Sequence, residues 1–302
     1  MTRRLTLHIG SHKTGTTSLQ WTFLANREVL QSRGLSFVTG GSQPNLHAFV
    51  GLGPTRCLIP DGFRLRDHEA LAAALAAAPG PEVFASSENL SFFFQAEAIA
   101  ELAALVRPHF SQIRILCYLR RQDRHAVSHH QEGAKPARAP AGELWGHATV
   151  ALPAAHPRHA LYLDYDRRIG HWADAFGEEA LIARVFDRSS LKDGDLVADA
   201  LQALGIASQG LQPIADLNTS LGAVQSWVGH KMNAADVPEA FAGAVLQSLP
   251  KGRGPCLPGL RRGPSTVISP FLTGCVRRIH AAMFSFMAGV MPPIPMFGRS
   301  LL

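Results

Sequence analysis

The residues with the clearest chemical content stand together near the start of the chain: Gly10-Ser-His-Lys13-Thr14-Gly15-Thr16-Thr17-Ser18. A lysine, two glycines and a run of hydroxyl residues form an anion-binding composition. Lys13 brings a full positive charge, the hydroxyls bring donors, and Gly10 and Gly15 let the backbone turn tightly. The alternation Leu5, Leu7, Ile9 just before it predicts a strand. Just after it, Leu19, Phe23 and Leu30 fall on one face of a predicted helix, with Gly34 where that helix would end. Strand, turn and helix in that order bring unpaired backbone N–H groups and the positive end of the helix dipole to one spot. The chemistry expected there is phosphate binding.

A second constellation follows a predicted buried strand over 113–119. Arg120 closes that strand, and Ser128 comes eight residues later on a helix predicted from Gln122 to about Gln131. A guanidinium and a hydroxyl so placed can grip another phosphate. Strand ends in an open parallel sheet share one edge, so both segments can reach one ligand. Two residues could take a proton: Glu88, which follows a predicted strand over 82–87, and His47, in the loop after a strand at 35–38. His12 lies inside the first turn, where it either contacts substrate or lines the loop. His125, His129 and His130 invite a metal reading, but H-E-x-x-H is absent and no cysteine is near.

The order Gly10-x-x-Lys13-Thr14-Gly15-Thr16-Thr17 departs from the nucleoside-triphosphatase loop, where Lys follows the second Gly. It resembles the 5′-phosphosulfate loop of sulfotransferases that use 3′-phosphoadenylyl sulfate (PAPS). Arg120 with Ser128 is similar to the 3′-phosphate motif of the same family, and Lys251-Gly-Arg253 resembles a basic loop found near the 3′-phosphate and adenine. Ser86-Ser-Glu88, the stretch from Arg184 to Leu196, and Asn218-Thr-Ser220-Leu look similar to segments of bacterial carbohydrate-directed members. The resemblance covers roughly residues 1–230. It implies sulfuryl transfer from PAPS to a hydroxyl of a carbohydrate or glycolipid, with Lys13 on the leaving phosphate and Glu88, or His47 as its rival, as base. Lys13, Thr14, Gly15, Thr16, Thr17, Ser18, Arg120, Ser128, Lys251 and Arg253 would hold the nucleotide, and no metal is implied. The alternatives are a P-loop kinase using ATP and a catalytically inactive protein that binds adenosine bisphosphate.

The elements needed to position these groups are legible as a series. Strands at 5–9, 35–38, 82–87, 113–119 and 181–186 alternate with helices at 16–33, 66–78, 95–110, 122–131, 159–176 and 196–204. That alternation predicts an α/β fold: an open parallel sheet of P-loop type with helices on both faces, followed by a helical part over 221–302. The whole chain, 1–302, is expected to be one such domain, with a proline-rich loop or lid over 134–158.

Composition bounds the partners. In 302 residues, 46% are hydrophobic and 17% charged, enough for a sizeable core. A net charge of +6 favours anionic partners such as nucleotides or acidic glycans, and is compatible with peripheral membrane contact. No run of basic residues interleaved with aromatics suggests a nucleic-acid groove. Four scattered cysteines make no disulfide framework, and no apolar stretch reaches the ~20 residues of a membrane span. With no signal-peptide pattern either, a soluble cytoplasmic protein is expected, in reach of the inner membrane face.

Overall fold

The computed structural model describes residues 2–52, 62–137, 161–212, 214 and 220–249. Five strands, β1 (Arg4–His8), β2 (Leu35–Val38), β5 (Glu82–Ser86), β6 (Gln112–Leu119) and β7 (Leu181–Val185), lie in the order β2-β5-β1-β6-β7, all parallel. Two further strands, β3 (Val50–Leu52) and β4 (Phe63–Leu65), pair antiparallel beside that sheet. Helices alternate with the strands: α1 (Thr16–Ala25), α2 (Arg27–Ser32), α3 (His68–Ala77), α4 (Ala96–Val106), α5 (Gln122–Gly133), α6 (Tyr165–Phe176) and α7 (Leu196–Leu204). The described C-terminal part is helical, with α8 (Ala223–Ala234) and α9 (Glu239–Ser248).

Alternation along the strands decides what each face of the sheet buries. Leu5 and Leu7 of β1, with Ile115 and Cys117 of β6, point to the cluster formed by Leu71 and Leu75 of α3, Ile99 and Leu102 of α4, and Trp172 of α6. Phe84, Leu116 and Tyr118 point the other way, onto Leu19 and Phe23 of α1 and Leu201 of α7. Each such side chain withdrawn from water contributes about 1.5–3 kcal/mol. The expected doubly covered α/β architecture is the observed one.

Local chemistry explains where the elements differ from the sequence reading. The helix expected to run unbroken to Gly34 is split at Asn26. Its side-chain amide donates to the carbonyls of Thr22 (2.8 Å) and Gln212 (3.0 Å) and accepts from Gln212 N–H (2.8 Å). Helix α4 stops at Val106, because Pro108 lies in the following 3₁₀ turn, Arg107–His109. Strands β3 and β4 escape detection because three residues are too few to show a period. The predicted loop or lid over 134–158 lies mostly outside the described residues, as does the chain from 250 onward. Among the described residues, no helix is long and apolar enough to cross a membrane.

Candidate active site

The site is built at the carboxyl edge of β1, β5 and β6. Parallel pairing of β1 with β6 runs past the named strands into the loop: Tyr118 N–H donates to Gly10 O (2.7 Å) and Ser11 N–H to Tyr118 O (3.0 Å). Two residues further along each chain stand Lys13 and Arg120. Register therefore brings them together, and Arg120 Nη1 donates to the backbone carbonyl of Lys13 at 3.2 Å. The Arg120 guanidinium also lies over the Phe186 ring, 5.8 Å from its centroid.

The loop is shaped from within. Lys13 (φ 64) and Gly15 (φ 79) are both left-handed, which turns successive backbone groups inward. Thr14 is buried and donates its hydroxyl to Ser11 O at 2.5 Å, so its side chain fixes the loop and only its N–H is left for a ligand. Gly15 is the N-cap of α1, and no side chain among the described residues caps that helix. The N–H groups of its first turn, at Thr16, Thr17 and Ser18, therefore face the loop with only the helix dipole behind them. Arg168 supports the loop from beneath. Buried on α6, it donates to Ser11 Oγ (3.0 Å) and to Ser91 O (2.9 Å), and it lies over the rings of Tyr162 and Tyr165.

Lys13 is met by a partner that the sequence reading missed. Glu132, at the far end of α5, accepts from Lys13 Nζ at 2.7 Å and from Lys135 Nζ at 2.7 Å. Burial pushes the Glu132 carboxyl up, but the two lysines outweigh it and hold the group at about 2. Lys13 is lowered from its ordinary value, by burial first, with Glu132 opposing and Lys135 and Arg120 adding to the effect. A carboxylate thus occupies the lysine where an anionic ligand would bind. Nothing in the local spacing of Glu132 announces this; the contact exists because α5 starts beside Arg120 and runs back past the loop.

The two candidate bases turn out to be neighbours. His47 Nε2 lies 3.5 Å from Glu88 Oε2. Glu88 also accepts from Gln20 Nε2 at 2.8 Å, and Gln20 donates to Ser86 Oγ at 3.0 Å. Burial would raise Glu88, yet the nearby His47 imidazole and the hydrogen bond from Gln20 hold its carboxyl below the ordinary value. Glu88 packs against the phosphate loop: a Cβ on Gly10 would sit 3.3 Å from Glu88 Cα and 3.0 Å from His12 N, and Gly10 has φ +94. Only glycine fits there. Gln20, buried on α1 beside Leu19, is a second residue the sequence did not single out.

Ser128 is buried on α5. Asp123 pairs with Arg121 (2.5 Å), and Arg124 pairs with Asp187 (2.7 Å), so these arginines are tied up at the surface. Lys251 and Arg253 lie outside the described residues. The histidine triplet is split: His130 packs against His230, with ring centroids 4.0 Å apart, while His125 and His129 face His12.

No protein-family model matches the chain. An uncharacterized protein of Archaeoglobus fulgidus is 29% identical over 121 residues, which is 40% of this chain; the chain spans 30% of that relative's length. A sulfotransferase from Alicyclobacillus acidocaldarius, known from its crystal structure, aligns with a TM-score of 0.45 and 17% identity, covering 82% of this chain and 97% of that one.

Proposed function

We propose that the chain is a sulfotransferase that moves a sulfuryl group from PAPS to a hydroxyl of a carbohydrate or glycolipid. The observation that carries this reading is the contact of Arg120 with Lys13: two anion-binding segments, each with the residues of a known phosphate motif, meet on one edge of the sheet. A nucleotide with phosphate at both 5′ and 3′ positions fits two such grips; one with phosphate at 5′ alone would leave Arg120 without its ligand.

In this reading the N–H groups from Thr14 to Ser18 and the Lys13 ammonium hold the 5′-phosphosulfate, and Arg120 with Ser128 holds the 3′-phosphate. The acceptor oxygen attacks sulfur, a new S–O bond forms, and the bond from sulfur to the 5′-phosphate oxygen breaks. Charge that builds on that phosphate oxygen is met by Lys13 and the head of α1, where donors are already oriented. The acceptor's proton goes to the Glu88–His47 pair. Gln20 holds the Glu88 carboxylate in place. Adenosine 3′,5′-bisphosphate leaves, and Lys13 returns to Glu132.

Lys251 and Arg253 are assigned to the 3′-phosphate and adenine end, and the loops at 40–65 and 134–158 to the acceptor. The test is sulfur-labelled PAPS incubated with a panel of hydroxylated glycans and glycolipids. Label transfer with release of adenosine 3′,5′-bisphosphate supports the reading. ATP-dependent phosphorylation of the same acceptors would replace it with a kinase.

A further inference from the structure

Three histidines beside the phosphate loop take no part in the reaction described above. His12 immediately precedes Lys13, while His125 and His129 stand one turn apart on α5. One ring nitrogen from each lies within 4.8 Å of the other two, and the rings of His125 and His129 are buried. The rings of His12 and His129 meet edge to face, inclined at 72° with centroids 5.5 Å apart, so nitrogens on their rims can converge on one point.

Hydrogen-bond arithmetic settles the state of His125. Tyr165 Oη donates its single proton to the Arg120 carbonyl at 2.8 Å. Toward His125 Nδ1, 2.9 Å away, the same oxygen must therefore accept. Nδ1 carries a hydrogen, and in the neutral ring Nε2 then keeps its lone pair. That Nε2 is buried and, among the described residues, has no hydrogen-bond partner. An unmet acceptor in such a place costs about 1–3 kcal/mol, so its presence asks for an explanation. A neutral imidazole with its outer nitrogen hydrogen-bonded to a fixed oxygen is the form in which histidine binds metal.

We propose that His12, His125 and His129 form a binding site for one first-row transition-metal dication, with Zn²⁺ as the prime occupant. The chemistry of the cluster selects the class. Three imidazoles without a carboxylate among them suit Zn²⁺ rather than the oxygen-seeking Mg²⁺ and Ca²⁺. Lys13, Arg120 and Arg168 face His125 and oppose a cation held by charge alone. An ion that forms directed bonds to imidazole nitrogen can be held in spite of them. Zn–N distances of about 2.0–2.1 Å in a tetrahedral site set the nitrogens roughly 3.3 Å apart, so from a spacing of up to 4.8 Å they draw together on binding. Phe92 near His12, and Tyr162 near His125 and His129, wall the site with rings. Because His12 leads into Lys13, a bound ion would tie the phosphate loop to α5, the same two elements that Lys13 and Glu132 connect. The proposal does not depend on sulfuryl transfer, since the histidines take up the ion or fail to whatever the loop carries.

The full chain, stripped of metal with a chelator and dialysed, is titrated with ZnCl₂ by calorimetry and with CoCl₂ by visible absorption. One equivalent of Zn²⁺, a tetrahedral Co²⁺ band and a raised melting temperature are expected. His12→Ala and His129→Ala should each weaken binding at least about a hundredfold. Tyr165→Phe, which removes the partner of His125 Nδ1, should weaken it about 10- to 100-fold. His130→Ala leaves the cluster whole and should bind as tightly as the wild type. His12 lies on the loop, so its variant keeps the test valid if the buried His129→Ala fails to fold. No uptake by the wild type, or equal affinity in His12→Ala, would overturn the site.

Discussion

Arg120 rests its guanidinium on the backbone carbonyl of Lys13, 3.2 Å away, although the two residues are 107 positions apart in sequence. The contact follows from parallel pairing of β1 with β6, which continues as far as Ser11 and Tyr118. It brings the two proposed anion grips together on one edge of the sheet.

Lys13→Ala should lower the rate of transfer at saturating donor by about 10²–10³-fold or more, the loss typical when one donor to a developing oxyanion is removed. Circular dichroism should show an unchanged fold, because Lys135 still holds Glu132. Turnover at the wild-type rate would remove Lys13 from the leaving-group role.

Glu132→Gln should tighten nucleotide binding. The substitution removes a negative charge that contacts Lys13 at 2.7 Å and competes with the ligand for it. One charge fewer at this range is worth roughly 1 kcal/mol or more, hence at least about a fivefold gain in affinity that shrinks with added salt. Titration calorimetry at two ionic strengths measures it, and weaker binding would contradict the competition.

The Glu88–His47 pair can be separated by pH. If Glu88 takes the proton, the acid limb of kcat/KM should lie below the ordinary carboxylate range, because His47 and Gln20 hold that carboxyl down against burial. Glu88→Gln should then cost about 10²–10⁴-fold. His47→Ala should shift the limb upward, since it removes a contact that lowers Glu88 while the burial that raises it remains. Near-normal rates in both variants would exclude the pair.

Stability should fall on mild acidification. Burial holds His8 at about 4, against an ordinary value of 6.5, with the opposing attraction of Glu88 too small to compensate. Between those values the unfolded chain binds a proton that the folded chain refuses, so unfolding is favoured as pH drops. The loss is about 1.4 kcal/mol per pH unit, roughly 3 kcal/mol across the window. Urea denaturation at several pH values should show this slope, and His8→Asn should flatten it.

Much of the architecture could be read from the sequence, because strands and helices of ordinary length carry their period and their caps. Gly10, Lys13, Gly15 and Arg120 were legible for the same reason: each is placed by the end of a strand or the head of a helix. Glu132 and Gln20 were not. Their roles depend on which helix passes which loop, and no local spacing encodes that. His47 and Glu88 read as rivals in the sequence because a loop and a strand end look independent until the chain folds them to within 3.5 Å. The histidines show the same limit. Helical spacing grouped His130 with His125 and His129, whereas packing replaces it with His12.

The central claim, two grips on one nucleotide, is tested most directly by calorimetric titration of the wild type and Arg120→Ala with adenosine 3′,5′-bisphosphate and with adenosine 5′-monophosphate. A charge-assisted contact of about 1.5–3 kcal/mol predicts a loss of roughly 10- to 150-fold for the bisphosphate and almost none for the monophosphate. Equal losses for both ligands, or wild-type binding of the bisphosphate no tighter than that of the monophosphate, would contradict it.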